Sequence, residues 1–583
     1  MNRWQLTRRM SVLGVGLSLV GTSLASAAGA DTRVNVGSPV APFSQNKQNE
    51  PALAVDANHT NVVVAGSNDN IDMEACNAGD DTTCPFTAGV GVSGVYFSSD
   101  SGKTWTQPTY TGNTARDCLG VVGKTDPPCT AHPGPIGTLP WYFENGLVSG
   151  GDPAVAFGPV PLNGTFAWAN GSRLYYANLS SNLSAVRSEE AFKGFEAVAV
   201  SRTDNVAAAA ANVKSAWMPP VLVSKQSTTT FSDKEQIWAD NVSSSPFFGN
   251  AYVCWASFRG QAKSGNAAPA PLIVATSTDG GETWTQHQIS AAANNAQRNP
   301  MDGCTVRTDS HGVAYVFGVG TSAPNAKQAF EFMSKSVNGG QTWSQSTPVV
   351  GPVTQPGVVD PVIGRPTIDG IAGARSDLAP APSVDIANGA PTGAGATNRM
   401  VMTYVSGEIT KPHVFFTEST NGGTTWATPR AIEAASDRGL YTAPAISPDG
   451  KNVYVVYNAF TTAYQPTTAT PRSLVGVVEQ ASAGPTGATG TFVEIHRGAP
   501  GDPRGSSQNN LQAEFLGDYV YAVATRTFGA AVWNDTRAAA DCPAMDAWRQ
   551  SLRDGTTVAR PAPQQDCAPT FGNSDIFGFT TAP

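Results

Sequence analysis

SSDSGKTW, at residues 98–105, is the most informative stretch of this chain because it recurs three times. The other copies are STDGGETW at 277–284, SVNGGQTW at 336–343 and STNGGTTW at 419–426. All of them share the pattern Ser-x-Asp/Asn-x-Gly-x-Thr-Trp. Agreement of this kind excludes a chance Gly-rich turn and indicates an internal structural repeat.

Each octapeptide has the chemistry of a turn between two strands. The Asp or Asn oxygen accepts hydrogen bonds from backbone N–H groups just ahead of it, and the Gly adopts a positive φ without steric cost. The Thr restarts a strand, and the Trp buries a large ring between layers. An Asn keeps one acceptor oxygen, so we expect the copies with Asn338 and Asn421 to form the same turn as those with Asp100 and Asp279.

The octapeptide resembles the Asp-box, or BNR repeat, of the sialidase superfamily and related β-propellers. In that family the box closes the hairpin between the third and fourth strands of a blade, on the face away from the active site. The resemblance therefore implies an all-β propeller. It also implies a structural role, rather than a catalytic one, for Asp100, Asp279, Asn338 and Asn421.

Seven apolar runs with a polar or Pro-containing entry are candidate inner strands of the propeller, and a second run follows each of them. This pattern predicts six or seven four-stranded blades. Seven is favoured, and six, as in sialidases, stays open if one run is an insertion. Segment 195–231 fits neither count, and 173–180 is a candidate outer hairpin of a degenerate blade. The seven runs are 50–56, 152–157, 235–240, 303–309, 382–386, 444–449 and 519–525.

The 583 residues exceed what seven bare repeats of about 40–50 residues need. The surplus is therefore assigned to long loop insertions. They are 69–91, 111–148, 373–398 and 461–490.

The two ends of the chain both have strand character, at 32–37 and 576–581. Their pairing in one blade would remove free sheet edges and close the ring. We therefore predict a single propeller over residues 31–583, closed by its N- and C-terminal strands. The only convincing helix of the sequence is a short one over 544–553.

The composition excludes several other classes of protein. Charged residues make up 14% and hydrophobic residues 40% of the chain, and 12 Trp, 24 Phe and 14 Tyr supply a large core. This excludes disorder, collagen-like structure and a coiled coil. The net charge of −9 argues against nucleic acid as a partner, because nucleic acid requires a basic surface. Nothing after the N-terminal run is apolar enough for a membrane span.

The first 30 residues have the layout of an export signal. Arg3, Arg8 and Arg9 precede an apolar run over 12–24, and small residues follow it. Both a twin-arginine signal and a Sec signal with adjacent arginines fit this layout. We therefore expect a signal peptide over 1–30 and a secreted or periplasmic mature protein.

Eight cysteines in a chain bound for an oxidising compartment predict disulfides. No C-x-x-C spacing occurs, so a zinc site is not expected. We predict local pairing in sequence order. The predicted pairs are Cys76–Cys84, Cys118–Cys129, Cys254–Cys304 and Cys542–Cys567.

Polar residues at the entries of the inner strands are the candidate site, because those positions border the central funnel of a propeller. Most of them are expected to cap strands or to line a hydrated channel. They are Glu50, Asp152, Asp233, Glu235, Asp302, Asp369, Glu514 and Asp518.

The sialidase resemblance implies more specific roles. Sialidases bind the sugar carboxylate with three arginines, attack with a Tyr that a Glu activates, and use an Asp as acid and base. The family's Phe-Arg-Ile-Pro-like motif is absent here, and Asn49-Glu50-Pro51 stands near its place. The candidates are Arg298, Arg365 and Arg438 for the clamp, Tyr441 or Tyr519 as nucleophile, and Glu235 and Asp302 as partner or acid.

The acidic stretch 68–74 offers alternating oxygen ligands, as calcium loops do. It lacks the Gly and the spaced Glu of an EF-hand loop, so solvated acid is the alternative. The sequence requires no cofactor, and structural calcium is an option without further support.

Together these observations predict an exported sialidase-like propeller that acts on extracellular glycan or glycoconjugate. If it is catalytic, we expect an exo-acting glycoside hydrolase of the exo-α-sialidase type. The alternative is a non-catalytic propeller that binds polysaccharide or protein through its funnel face.

Overall fold

Antiparallel strands are the main regular elements of the structure, and helices within the described residues are short. The structure is a computed structural model, and the expected signal peptide lies outside its described part except for residue 30. The described residues are 30–37, 47–76, 78, 87–120, 127–190, 196–224, 230–259, 270–291, 301–322, 325–484, 487–506, 511–512 and 515–583.

The first half of the chain forms a lone N-terminal strand, three sheets and an additional hairpin. The N-terminal strand is β1 (Thr32–Arg33). Blade 1 contains β2 (Gln48–Val55), β3 (Val63–Asp69) and β4 (Ser93–Ser98), and the hairpin β5 (Tyr110–Thr114) and β6 (His132–Ile136) follows. Blade 2 contains β7 (Leu147–Leu162), β8 (Thr165–Asn182), β9 (Ala197–Thr203) and β10 (Trp217–Leu222). Blade 3 contains β11 (Thr230–Ala239), β12 (Ala251–Arg259), β13 (Leu272–Ser277) and β14 (Thr285–Gln288).

The second half forms four further sheets of four strands each. Blade 4 contains β15 (Met301–Thr308), β16 (Ala314–Ser322), β17 (Asn325–Ser336) and β18 (Thr347–Val353). Blade 5 contains β19 (Ser383–Ile386), β20 (Met400–Glu408), β21 (Lys411–Ser419) and β22 (Arg430–Ala431). Blade 6 contains β23 (Arg438–Ile446), β24 (Asn452–Phe460), β25 (Leu474–Ser482) and β26 (Val493–Arg497). Blade 7 contains β27 (Tyr521–Ala524), β28 (Gly529–Asp535), β29 (Asp575–Thr580) and, as its outer strand, β1.

The sheets form a closed ring, so the predicted all-β propeller with seven blades is confirmed. The inner strands β2, β7, β11, β15, β19, β23 and β27 coincide with the seven predicted runs. Each inner strand contacts that of the next blade, and β27 contacts β2. Closure also takes the predicted form, because Thr32 and Arg33 of β1 pair with Gly578 and Phe577 of β29.

Two sequence-based assignments in blade 2 are wrong. Residues 173–180 belong to the second strand, β8, and not to the outer hairpin of a degenerate blade. The unassigned segment 195–231 supplies β9 and β10, the third and fourth strands of the same blade, and the start of β11. Both errors arise because β7 and β8 form an unusually long hairpin, so residues 173–180 pair with the inner strand β7. In blade 1 the fourth strand is reduced to a bridge between Phe97 and Thr106.

Hydrophobic clusters fill each of the seven interfaces between neighbouring blades. The Trp of every octapeptide packs into the interface with the preceding blade. Trp105 joins the cluster between blades 7 and 1. Trp284 joins the cluster between blades 2 and 3, Trp343 the one between blades 3 and 4, and Trp426 the one between blades 4 and 5. The repeated Trp is therefore an inter-blade contact, as expected from its size.

The octapeptides close the hairpins after the third strands, on the end of the ring opposite to the entries of the inner strands. Asp100 Oδ1 accepts hydrogen bonds from Ser98 Oγ (2.8 Å) and from the N–H groups of Lys103 (3.1 Å) and Thr104 (2.9 Å). Asn338 Oδ1 accepts the corresponding bond from the Thr342 N–H at 3.0 Å, and its Nδ2 donates to Thr342 Oγ1. The prediction that Asn preserves the turn is confirmed.

Four helices of the described chain are α1 (Arg187–Glu190), α2 (Val206–Ala210), α3 (Pro543–Asp554) and α4 (Pro563–Asp566). The predicted helix over 544–553 corresponds to α3, which ends at Gly555 with a φ of 66°. None of the described helices is long and apolar enough to cross a membrane.

Three of the predicted disulfides are present. They are Cys118–Cys129, Cys254–Cys304 and Cys542–Cys567. Cys84, half of the fourth predicted pair, lies outside the described residues. The Cys254–Cys304 bond joins β12 to β15 and therefore links blade 3 to blade 4.

Candidate active site

Four consecutive inner strands begin with a β-bulge that turns side chains towards the axis. The pairing register shifts after Asn49, Gly151, Asp233 and Asp302. The next residue of each strand has a positive φ: 54° at Glu50, 52° at Asp152, 61° at Lys234 and 56° at Gly303. For residues other than Gly this conformation costs on the order of 1–3 kcal/mol each and is concentrated at functional sites.

Lys234 is the centre of a buried ion cluster in the funnel. Its Nζ lies 2.8 Å from Asp518 Oδ2, 3.2 Å from Asp152 Oδ2, 3.4 Å from Glu50 Oε1 and 3.8 Å from Asp233 Oδ1. These carboxylates belong to blades 7, 2, 1 and 3, or to the segments that enter them. The lysine side chain is 8% exposed. One ammonium group therefore links the first three blades of the chain to the last one.

The pKa values of the carboxyl groups in this cluster are shifted in opposite directions. Burial and the neighbouring Asp152 carboxylate raise the pKa of Glu50 well above its usual value, and burial raises that of Asp233 likewise. The pKa of Asp152 is lowered, because Lys234 and hydrogen bonds with Glu50 and Asp233 outweigh the effect of its burial. The carboxylates in turn hold the pKa of Lys234 well above its usual value in spite of burial. The pKa of Asp152 is thus shifted in the opposite direction to those of its neighbours Glu50 and Asp233.

Asp302 occupies the entry of blade 4 beside this cluster. Burial raises its pKa to about 7, although Lys234 and a hydrogen bond from the Gly303 N–H at 2.8 Å both lower it. Its side chain is half-buried, so a ligand in the funnel can reach it. Asp233, 19% exposed, is the most accessible of the four carboxyl groups around Lys234.

Glu235, the other predicted acid, is fully buried and does not contact Lys234 in the same way. Neither of its carboxyl oxygens has a hydrogen-bond partner among the described residues. Burial, followed by the charge of Asp152, raises its pKa well above the usual value. The structure therefore places Glu235 behind the cluster rather than on the funnel surface.

The two candidate nucleophiles lie in different surroundings. The Tyr519 ring stands 5.5 Å from Lys234 Nζ, and its hydroxyl has no hydrogen-bond partner among the described residues. Tyr441 is fully buried, and its hydroxyl is 3.5 Å from Ser376 Oγ. Burial raises the pKa of both hydroxyls well above the usual value. Tyr519 is thus the tyrosine that belongs to the cluster.

The predicted arginines are occupied by separate aspartates. Arg365 Nη1 is 2.9 Å from Asp377 Oδ2, and Arg375 binds the same oxygen. Arg438 is buried and forms a short ion pair with Asp369. Arg298 lies outside the described residues, so convergence of all three arginines stays a prediction.

A second contact crosses the axis below the ion cluster. The hydroxyl of Tyr521 on β27 donates a short hydrogen bond to Gln236 Oε1 on β11. Blades 7 and 3 are three positions apart in the ring, so this bond spans the channel. It separates the funnel from the space beneath it.

The acidic stretch 68–74 uses its carboxylates within the protein. Asp69 accepts hydrogen bonds from Gln48, Tyr96 and Gln107, each at 2.7 Å. Asp72 accepts from the Gly137 N–H at 2.9 Å and from Thr138 Oγ1 at 2.6 Å. Within the described chain no group of three or more His, Cys, Asp or Glu is arranged to hold a metal ion. The calcium assignment stays a prediction.

Lys234 is the residue that sequence reasoning missed. A usable signal was present, because Asp233-Lys234-Glu235 stands where the neighbouring inner strands have Asn49-Glu50-Pro51 and Gly151-Asp152-Pro153. A lysine between two acids at a buried strand entry requires partners from other blades, because an isolated charge is costly to bury.

The chain is similar in structure to sialidases. A Hadza microbial sialidase is 13% identical with a TM-score of 0.39, and the match covers 70% of this chain and 63% of that one. A Trypanosoma rangeli sialidase, in complex with the inhibitor DANA, is 12% identical with a TM-score of 0.38 (77% and 60% covered). The intramolecular trans-sialidase from Ruminococcus gnavus, in complex with oseltamivir carboxylate, is 10% identical with a TM-score of 0.39 (73% and 92% covered).

The chain thus spans about three fifths of the length of the first two of these proteins. Its amino-acid sequence matches no protein-family model and no curated protein sequence.

Proposed function

We propose that this protein is an exported glycoside hydrolase that acts on extracellular glycans at the Lys234 cluster. The observation that carries the proposal is the cluster of buried carboxyl groups from four blades around Lys234, whose pKa values are shifted in opposite directions. Asp302, with a pKa raised to about 7, and Asp152, whose pKa is lowered, both interact with the charge of Lys234. Pairs of this kind supply the acid and the anion of glycoside cleavage.

In this proposal Asp302 donates its proton to the glycosidic oxygen as the bond from that oxygen to the anomeric carbon breaks. The Asp152 carboxylate stabilises the positive charge that develops on the sugar ring. Water then adds to the anomeric carbon, and a carboxylate of the cluster accepts its proton. Tyr519 borders the same space and is the tyrosine assigned to substrate contact.

The charge of the site favours a neutral or basic sugar over an acidic one. Lys234 is surrounded by carboxylates, and Arg365 and Arg438 are engaged by Asp377 and Asp369. A sugar carboxylate would have to displace Asp369 from Arg438, and at the half-exposed Arg365 it would lie next to the Asp377 carboxylate. The exo-sialidase form of the proposal, with Arg298, Arg365, Arg438 and Tyr441 as site residues, requires that rearrangement.

The test is turnover of a panel of fluorogenic glycosides, neutral, basic and sialylated, by the wild type and two matched variants. Asp302→Asn keeps the shape of the side chain but cannot act as an acid, and we expect kcat/KM to fall by about 100-fold or more. Asp279→Asn changes an octapeptide on the opposite face into the form found at Asn338, so its activity should stay within about twofold. Equal losses in both variants would contradict the proposal.

The pH dependence provides a second readout. Because Asp302 must be protonated to act as an acid, turnover should decline as the pH rises through about 7. A rate that rises steadily from pH 6 to pH 9 would contradict this role.

The non-catalytic alternative rests on one specific observation. The Lys234 cluster joins blades 1, 2, 3 and 7, so it also has the geometry of a structural connection. Under this alternative no glycoside of the panel would be hydrolysed, while a glycan array would still show binding that Asp302→Asn weakens.

Export is supported by the three disulfides, which persist in oxidising compartments. The test is the N-terminal sequence of the secreted protein from an expression host. We expect a start near residue 31, and a cytoplasmic protein that retains residue 1 would contradict export.

A further inference from the structure

A second cavity lies on the axis at the end of the ring opposite to the funnel, and we call it the lower cavity. Its volume is about 290 Å³. All seven inner strands contribute to it through their distal halves, and the loops that follow several of them form its mouth. Apolar residues on its wall include Leu53, Phe157, Ile237, Ile386, Ile446 and Val523.

The lower cavity is distinct from the candidate active site. The hydrogen bond between Tyr521 and Gln236 crosses the axis between the two spaces. Tyr521 borders both spaces, whereas Asp518 and Tyr519 border only the space on the funnel side, and neither Lys234 nor Asp302 lines the lower cavity. A molecule in the lower cavity would therefore not touch Lys234 or Asp302.

The wall contains one buried charged pair whose hydrogen bonding is incomplete. Arg307 is 6% exposed, and its guanidinium lies 4.6 Å from the centre of the Trp238 ring. Its Nε is 3.5 Å from Asp385 Oδ1 and makes no hydrogen bond with any described residue. A buried donor of this kind normally has a partner. The pair has no net charge, and Arg526, the other charged residue on the wall, lies 4.0 Å from Asp449 at the exposed mouth, so the buried wall favours a neutral polar group rather than an ion.

The size of the cavity sets the size of its ligand. An apolar cavity of about 150 Å³ is large enough for benzene. The lower cavity is about twice as large, which corresponds to two fused six-membered rings. Aliphatic walls with a few polar groups are typical of sites for small apolar molecules.

We propose that the lower cavity binds a neutral, mostly apolar small molecule of about two fused rings that carries one hydrogen-bonding group next to Arg307. This function is separate from glycan cleavage in the funnel. It stands or falls independently of the proposed hydrolase activity.

The test is isothermal titration calorimetry of the full chain with 2-naphthol, which has two fused rings and one hydroxyl. We expect saturable binding of one molecule per chain and a negative heat-capacity change, as burial of apolar surface requires. Naphthalene-2-sulfonate, which has the same rings but a full negative charge, should bind at least tenfold more weakly. Absence of saturable 2-naphthol binding would overturn the proposal.

Two matched variants locate the binding. Ala524→Phe introduces a ring at a half-buried position of the cavity wall and should weaken 2-naphthol binding at least tenfold. Ala427→Phe makes the same change at an exposed position next to the fourth octapeptide and should leave binding unchanged. Equal affinity of both variants would overturn the proposal.

Two further variants guard against indirect effects. Val523→Trp fills the same wall from the preceding residue, and it replaces Ala524→Phe if circular dichroism shows that the latter is unfolded. Asp302→Asn alters the funnel alone and should leave 2-naphthol binding intact. Loss of 2-naphthol binding in Asp302→Asn would place the binding site in the funnel and overturn the proposal.

Discussion

The two ends of the propeller use carboxylates in opposite ways. At the octapeptide end, hydrogen bonds from Thr104, Ser98 and Lys103 hold the pKa of Asp100 below its usual value against the effect of partial burial. At the funnel end, burial raises the pKa of Glu50, Asp233 and Asp302. Local hydrogen bonds thus favour the ionised form of Asp100 at one end, whereas burial favours the protonated form of Glu50, Asp233 and Asp302 at the other.

This difference teaches how far each carboxylate depends on distant parts of the chain. The partners of Asp100 lie within four residues of it. Glu50, by contrast, accepts a hydrogen bond from the Asp518 N–H, 468 residues away. An octapeptide forms with its own hairpin, whereas the funnel cluster exists only when the ring is closed.

The largest expected effect comes from removal of the lysine that holds the funnel acids together. Lys234→Met leaves buried carboxylates without their cation, which destabilises proteins by about 3–5 kcal/mol. We expect a large drop in the melting temperature at pH 7, measured by calorimetry. The drop should be smaller at pH 5, because protonation of the carboxyl groups removes the unpaired charge.

Lys451→Met is the matched control at an exposed ion pair, since the Lys451 side chain is 69% exposed. We expect almost no change in its melting temperature. A Lys234→Met protein as stable as this control would show that the cluster does not hold the ring together.

A buried acid without a lysine separates the effect of burial from that of the cluster. Glu331 on β17 is fully buried, and neither carboxyl oxygen has a hydrogen-bond partner among the described residues. Burial raises its pKa well above the usual value, so the folded protein keeps a proton that the unfolded chain releases above about pH 4.5. Stability contributed by this group is therefore lost as the pH rises.

Glu331→Met removes this loss and should raise the free energy of unfolding at pH 8 by about 1–3 kcal/mol, with a smaller gain at pH 5. Urea denaturation at the two pH values measures the difference. Glu408→Met, an exposed change at the end of the neighbouring β20, should give no such pH dependence. Equal gains at pH 5 and pH 8 for Glu331→Met would contradict the role of ionisation.

The smallest expected effect concerns the octapeptide turn itself. Asp100→Ala removes the acceptor of four hydrogen bonds, one each from Ser98 and Lys103 and two from Thr104, and should lower the free energy of unfolding by about 1 kcal/mol. Asp100→Asn retains one acceptor oxygen, as Asn338 and Asn421 do, and should lose less than half of that. Denaturant titration of both variants decides the point, and equal losses would mean that charge, not geometry, stabilises the turn.

The parts of the fold that depend on contacts between nearby residues could be predicted from the sequence. The octapeptide turns could be predicted because their hydrogen bonds form between residues within eight positions of one another. The inner strands were readable because a polar entry and an apolar run lie side by side in the chain. Blade 2 was misassigned since its β7–β8 hairpin is unusually long and no octapeptide marks its outer strands.

The candidate site was only partly readable for the same reason. Glu50, Asp152 and Asp302 stand at equivalent strand entries, so their approach to one axis followed from the repeat. The ion pair of Arg438 with Asp369 joins residues 69 positions apart, and no sequence pattern in either segment predicts this contact. Lys234 was missed because its four partners come from different blades and a single lysine has no motif.

The outermost strand of blade 7 has a consequence for how the protein could associate with itself. A short segment, residues 32–35, covers β29 along its outer side: Thr32 and Arg33 pair with the strand, and Val34 and Asn35 hydrogen-bond to Ile576. An exopeptidase that trimmed these few amino acids would uncover a row of main-chain donors and acceptors on residues 575–580. An unpaired sheet edge favours the addition of a strand from a neighbouring molecule, so removal of residues 32–35 would promote self-association.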